Sequence, residues 1–307
     1  MFNAMQTQYQ TNTSTALPLP PTLIAYLLWP GLLTACIMTY WLGLQTGHSI
    51  FAFNASYFGL AAALYFLEKK YPYETNWIAS DGQALNDLGH TALTKGFGQV
   101  LATSVSLIGL SALGNDTATG IWPREWHPFF QVCLALLVAD FGLYWAHRIA
   151  HEWWPAWCWH AVHHSVTKLW FVNTGRFHLF DSLWKVTFSL TIGLTVGAPK
   201  EIIAWVLVIT PFIGFLTHCN VNMKCGWLSW IFNTPELHRW HHSRDAIEGN
   251  KNYGENIVFW DILFNTRFLP KNRRPPANIG CSDPVPSEFL GQIAYPLTAW
   301  LNAKKES

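Results

Sequence analysis

Eight histidines fall into three short clusters, HRIAH at 147–151, HAVHH at 160–164 and HRWHH at 238–242, and ten of the chain's thirteen lie between residues 147 and 242. Neutral imidazole is a common nitrogen ligand for iron and zinc. Helix positions i, i+3 and i+4 share a face, so each cluster can aim its rings at one place. The HxxHH spacing occurs twice, which scattered structural histidines would not do. Eight imidazoles exceed what one metal uses, whereas two ions with about four or five ligands each account for them, and a neutral all-nitrogen set suits iron better than magnesium or calcium. A single structural zinc, usually closed by about four ligands, leaves histidines unexplained. His218, in LTHCNVN, is the ninth candidate, with Asn222 four residues on able to face the same metal.

Asp140, Tyr144, His147 and His151 share one stripe of an ideal helix. An ionisable group inside an apolar run is expensive and reads as functional. The expectation is that Asp140 hydrogen-bonds a ligand histidine and fixes its orientation, the alternative being an ion pair with Arg148 or Arg176. His178, in GRFHLFD, is open between ligand, support for a ligand and substrate contact, with support ranked first. His48, His90 and His127 lie outside the clusters and read as loop or interfacial histidines.

The elements that must position these rings belong to a membrane protein. Half the 307 residues are hydrophobic, 12% are charged, and residues 1–67 contain no Lys, Arg, Asp or Glu. A bilayer core about 30 Å thick needs apolar runs of roughly 20 residues. Runs at about 21–43, 49–67, 96–113 and 128–146 meet that length. Two shorter runs, 186–198 and 202–217, are split by Ala198-Pro199-Lys200-Glu201 and read as a shallow hairpin or thin, tilted spans. The fold class is all-α: a polytopic helical membrane protein with a histidine-rich cap. With the N-terminus cytoplasmic, sixteen of the nineteen Lys and Arg, all but Lys95, Arg124 and Lys200, fall on the cytoplasmic side, together with the three clusters. Trp153, Trp154, Trp157 and Trp159 suit an interfacial belt or ordinary aromatic packing equally.

The domain reading is a disordered tail over 1–20, membrane helices without site motifs over 21–125, a catalytic domain over 126–270, and a C-terminal tail with an interfacial segment over 271–307. The N-terminus lacks the basic start of a cleaved signal peptide. The final Lys304-Lys305-Glu306-Ser307 reads as a solvated tail in preference to a retrieval signal. A net charge of +1 gives no reason to expect nucleic acid. The six cysteines show no CxxC pair, which speaks against a disulfide framework and an iron–sulfur cluster.

The order HRxxH, HxxHH, a lone His after a hydrophobic hairpin, then HRWHHS, NYG at 252–254 and WDILF at 260–264 resembles the fatty acid hydroxylase and sterol desaturase superfamily, over roughly 135–270. That resemblance implies a helical membrane domain with a cytoplasmic cap and two iron ions. It also implies O2-dependent hydroxylation or desaturation of a lipid, with His147, His151, His160, His163, His164, His218, His238, His241 and His242 as metal ligands. Two departures are visible. Asn265 stands where the family usually has Gly, and Asn222 where some relatives offer another histidine, so Asn222 or water completes one metal's coordination. Candidate substrates are a sterol, a carotenoid, or a fatty acyl chain within an amino lipid or sphingolipid.

Oxidation of this kind takes two electrons from outside. The sequence has no G-x-G-x-x-G fingerprint and no cysteine cluster, so a separate donor is expected: a ferredoxin, cytochrome b5 or a pterin. The implied setting is a bacterial inner membrane or the endoplasmic reticulum. Two rivals from other classes are a metal transporter, whose ligands would line a path through the bilayer, and a non-catalytic lipid- or metal-binding protein. Clusters at one face and the complete set of box histidines favour the enzyme.

Overall fold

In the computed structural model the described residues are 22–98, 100, 101, 104 and 121–306. Among the described residues four helices are long and apolar enough to cross a membrane: α1 Thr22–Gln45, α2 Ser49–Lys70, α4 Pro128–Glu152 and α7 Lys200–His218. The first three match expected runs. Most of the run expected at 96–113 and the tail at 1–20 lie outside the described residues. α3, Ala84–Gly89, continues without a break into a π-helix, His90–Gly96.

The short hairpin resolves into unequal arms. α6, Leu179–Thr195, is amphipathic and carries Asp181 and Lys185 near its start, whereas α7 has the apolar character of a span. Pro199 sits at the N-cap of α7, where its missing N–H costs nothing, and separates the two helices. Both arms pack on α4, which is thereby the centre of the bundle.

Six helix ends come together at one end of the bundle. Glu68, in the last turn of α2, accepts the backbone N–H groups of Phe171 and Asn220, each at 2.9 Å. Pro72 bridges to Val221 just beyond α7, and Ala25 near the start of α1 accepts the N–H of Lys224. The starts of α3 and α6 join them through an Arg176–Asp87 ion pair and a His160–Asp181 hydrogen bond, and the last turns of α4 bring His147 and His151 beside His160. At the far end Arg124 donates to the carbonyl of Gly197 between α6 and α7. An apolar core of Trp29, Leu64, Phe212, Ile213 and Leu216 fills the space between α1, α2 and α7.

Short helices build the cap over the gathered ends. α5, Trp154–His164, and α8, Pro235–His241, each begin with a proline in the first turn, a position suited to its fixed φ. α9, Ala246–Gly249, and α10, Phe259–Leu263, follow. α11, Phe289–Glu306, lies against α5. Asn265 takes φ of 57°, the left-handed conformation that glycine favours and asparagine tolerates, so the departure from glycine leaves this turn intact. The tryptophan stretch divides: Trp153 and Trp154 are exposed, whereas Trp157 hydrogen-bonds Asp283 and Trp159 packs on Phe180, Trp184 and Trp300.

Close packing of α4 on α6 depends on Gly142. A Cβ there would lie 2.6 Å from the carbonyl oxygen of Phe188 and 2.8 Å from the amide nitrogen of Ser189. Both contacts are backbone, which cannot swing aside. Gly142→Ala should therefore lower stability by about 1–3 kcal/mol through overpacking. Thermal unfolding of the protein in detergent checks it, and an unchanged transition would contradict the close approach.

Candidate metal centre

Nine histidines converge beneath the cap in two sets. His147, His151, His160, His164 and His241 bring one ring nitrogen each to within 4.8 Å of one another, and His163, His218, His238 and His242 do the same. The HxxHH spacing produces this division. In α5 the i, i+4 pair His160 and His164 goes to the first set while His163, about 100° away around the helix, goes to the second. At α8 the arrangement is reversed, with His238 and His242 in the second set and His241 in the first. The two centres are adjacent, the rings of His164 and His242 stacking at 4.5 Å between centroids.

Six of the nine rings are anchored from outside through Nδ1. His147 donates to the Tyr253 carbonyl at 2.8 Å, His241 to the Lys251 carbonyl at 2.8 Å and His163 to the Arg176 carbonyl at 3.3 Å. His151 meets Asn250 Oδ1 at 2.9 Å, His218 meets Asn173 Oδ1 at 3.0 Å, and His160 meets Asp181 Oδ2 at 2.8 Å. Every partner is an acceptor, so each of these rings carries its proton on Nδ1 and turns the lone pair of Nε2 inward. The Nε2 atoms of His147, His151 and His160 are buried and hydrogen-bond nothing among the described residues. Elsewhere inward nitrogens face each other directly, at 3.1 Å for His164–His241, 2.8 Å for His238–His218 and 3.1 Å for His242–His238. Buried lone pairs pointed at one place are what a divalent cation with nitrogen preference stabilises, so the residues fit the pair of metal ions.

Burial also sets the charge state. It holds His160, His163, His164, His238 and His242 well below the usual imidazole range, and pushes His241 down to about 4. These rings are neutral at pH 7, the form that binds metal. His163 is further fixed by stacking on Phe177, 4.3 Å between centroids at 9°.

Asp140 does not touch a histidine. Its Oδ1 accepts the backbone and side-chain N–H groups of Asn256 and its Oδ2 the N–H of Ile257, at 2.9–3.2 Å. Arg148 pairs with Glu152 and Arg176 with Asp87, so the ion-pair alternative is replaced as well. Asp140 instead holds the 253–257 loop from one side while Asp261 accepts the N–H groups of Tyr253 and Gly254 from the other. That loop supplies the carbonyl that orients His147. His178 lies in neither set: its Nε2 donates to the Ile293 carbonyl and its Nδ1 accepts the N–H of Phe180, tying the start of α6 to α11. Asn222 gives its backbone N–H to the Tyr71 carbonyl beside the Pro72–Val221 bridge, and Asn173 is the amide that meets His218. His90 is fully buried between Thr94, Phe177 and Gln292, and is not a loop residue.

The residue that sequence reasoning missed is Asp181. It stands four positions before Lys185 on a helix packed against α4, and both are buried. Two charges at i, i+4 in an otherwise apolar run were the available signal. Lys185 in turn reaches Glu255 at 2.6 Å, and Glu255 lies 3.6 Å from His147 Nδ1.

A cavity of about 40 Å³ is bounded by His147 from the first set and His163, His218 and His238 from the second, so it faces both. Lys95 and Thr174 border it and also border a larger, mainly apolar cavity of about 440 Å³. Phe53, Tyr57, Val100, Leu207, Pro211 and Phe215 line the larger space between α2, α7 and the helix that continues from α3.

Comparison with known proteins agrees with this geometry. The family model described as fatty acid hydroxylase matches residues 132–266. An ornithine lipid hydroxylase of Rhizobium tropici is 42% identical over 282 residues, covering 90% of this chain and 84% of that protein. The alkylglycerol monooxygenase of Homo sapiens is 33% identical over 132 residues, 43% of this chain and 29% of its own length. Methylsterol monooxygenase 2-2 of Arabidopsis thaliana is 24% identical over 139 residues, 44% of this chain and 52% of its own. No solved structure matches the chain significantly. The chain belongs to the fatty acid hydroxylase family, the histidine-box di-iron oxidoreductases of membranes, and acts on a lipid.

The two aspartates should separate experimentally. Asp181→Asn removes the charge behind His160, and should lower metal affinity or turnover on the order of 10-fold while the fold persists. Asp140→Asn turns an amide N–H toward N–H donors and should cost about 1–3 kcal/mol of stability. Iron content, turnover and thermal unfolding of both variants check this. Equal effects on all three measurements would contradict the distinction.

Proposed function

We propose that the chain inserts one oxygen atom into a C–H bond of an amino-acid-containing acyl lipid. Two iron ions would be held by His147, His151, His160, His164 and His241 in one set and by His163, His218, His238 and His242 in the other. The observation that carries this reading is the inward aim of nine imidazoles beside a cavity continuous in its lining with an apolar one. When bound, iron supplies the oxidising power that an unactivated C–H bond requires. The overall balance is RH + O2 + 2 e⁻ + 2 H⁺ giving ROH + H2O.

The chain's own residues do the rest. Backbone carbonyls and Asp181 hold the rings in register. The apolar cavity between α2 and α7 accepts an acyl chain from the bilayer, and the small cavity beyond it takes the reacting carbon and leaves little room for water. Lys95 and Thr174, at the junction, are placed to meet a polar group of the lipid; Lys95 Nζ already lies 3.0 Å from the Thr174 carbonyl. The long match to an ornithine lipid hydroxylase supports an amino lipid over a sterol or carotenoid. We assign the chemistry to 126–270, with the helices of 21–125 and the segment 271–307 enclosing it, and the site to the cytoplasmic side, where most basic residues gather.

Lipid mass spectrometry of cells with and without the gene should reveal an amino lipid that gains one oxygen. A product lacking two hydrogens would indicate desaturation instead. Leu207→Trp, which projects a larger side chain into the cavity of about 440 Å³, should lower turnover at least about 10-fold with iron unchanged, since the ring takes the space an acyl chain would occupy. Unaltered turnover would place lipid entry elsewhere.

Orientation has its own test. In a background with native cysteines replaced, a membrane-impermeant thiol reagent should label Glu125→Cys in intact cells and Lys271→Cys only after the membrane is opened. The reverse pattern would put the histidines on the outer face.

A further inference from the structure

A groove of about 570 Å³ lies on the side of α8 away from the metal sets. Its lining gathers five cations, Arg239, Arg267, Lys271, Arg273 and Arg274, against one carboxylate, Glu236. Glu74 and Glu248 pair with Arg274 and Arg273 at its edge. In a chain whose nineteen basic and eighteen acidic residues nearly cancel, this is a local concentration of positive charge.

The guanidinium groups lie over aromatic rings. Arg239 and Arg274 lie 3.7 and 4.3 Å from the centroid of Tyr73, Arg267 lies 3.8 Å from Trp230 and Arg273 lies 5.1 Å from Trp240. Stacking of this kind fixes a guanidinium while leaving its edge N–H groups directed outward for carboxylates. Arg239 is 1% exposed, and its Nε and Nη1 have no hydrogen-bond acceptor among the described residues. Arg273 and Arg274 remain about half exposed, with side-chain exposures of 51% and 44%.

The position of the groove gives the charge a purpose. Arg239 and Trp240 line it, and their neighbours His238, His241 and His242 point to the metal sets. A helix is about 10–12 Å across with its side chains, so a group seated in the groove is about one helix diameter from the metals. Two electrons per turnover must arrive from outside the chain.

We propose that this groove is the docking surface for an acidic one-electron carrier protein, which binds with its carboxylates on the stacked guanidiniums and delivers electrons across α8. Two successive docking events supply the two electrons that, with two protons, balance reduction of O2 to hydroxyl oxygen and water. The proposal rests on the metal-centre reading for its purpose, while the binding itself requires no metal. Charge complementarity predicts fast, salt-sensitive association.

The test uses the full chain in nanodiscs of neutral lipid, with plant-type ferredoxin and the soluble domain of cytochrome b5 as acidic probes. Binding is measured by interferometry with and without iron, and reduction of the iron-loaded protein by each carrier is compared with reduction by dithionite. At least one probe should bind at low salt, weaken at least about 10-fold in 0.5 M salt, and weaken by a similar factor in Lys271→Glu/Arg273→Glu. The neutralising pair Arg273→Gln/Arg274→Gln should show a smaller loss, and Lys168→Glu, remote from the groove, none. Iron content, thermal unfolding and dithionite reduction should stay at the wild-type level. If neither probe binds, or the groove variants bind as wild type does, the docking proposal is overturned. If the groove variants instead lose binding to vesicles of anionic lipid while binding both carriers as wild type does, the groove is a headgroup site and the proposal is overturned equally. Protein that holds no iron or resists dithionite while still binding a carrier would instead count against the metal-centre reading.

Discussion

Holding nine imidazoles, eight of them buried, with their ring nitrogens aimed at two points is the constraint on which the rest of this structure depends. A ring free to rotate would present its protonated nitrogen to the centre as readily as its lone pair. The fold prevents this by surrounding the rings with acceptors, mostly backbone carbonyls and amide oxygens from segments 173–176 and 250–253. The carbonyls used belong to Arg176, just past a short 3-10 helix, and to Lys251 and Tyr253 in a loop, where helix hydrogen bonding does not consume them. Two buried carboxylates, Asp140 and Asp261, then satisfy the N–H groups that the 253–257 loop leaves unpaired.

What the sequence made legible follows residue type. The clusters, the lone His218 and the helical class were readable because imidazoles at helical spacing and long apolar runs are signals carried by side chains. The outer acceptors were not readable, because a carbonyl belongs to every residue. Asp140 shows the limit well: its ionisable group inside α4 reads as a support for a ligand histidine, yet its partner is Asn256, 116 residues away in a loop. Reasoning along one helix assigned it to His147, its neighbour on the stripe. In GRFHLFD the imidazole of His178 draws attention as a possible metal ligand, whereas the residue that supports a ligand is Asp181, three positions on. Likewise His90 looked like a connector, and its burial against Gln292 comes from a contact 202 residues distant.

The membrane part and the cap divide the work of positioning. α4 and α7 carry His147, His151 and His218 at their final turns, so the depth of those rings is set by where two spans end. α5 and α8 lie across the gathered ends and bring the remaining six. The apolar cavity between α2 and α7 and the cation-lined groove beyond α8 flank the metals from opposite surroundings, one facing hydrocarbon side chains and the other charged ones. The histidine sets therefore lie between an apolar surface and a cationic one, on different sides of the site.

The interleaving of the two HxxHH boxes has a consequence for how the protein is made. Four of the five nitrogens in the first set come from α4 and α5, within residues 147–164, and are all present once that short stretch has left the ribosome. The second set joins His163 to His218, His238 and His242, and so has no more than two members until α8 is synthesised and docked. One site is therefore local and early, the other late and dependent on contacts across the whole catalytic region. Closure of the second set therefore marks completion of the fold, and a chain that stalls or misassembles after α5 holds four nitrogens of the first set and only His163 of the second.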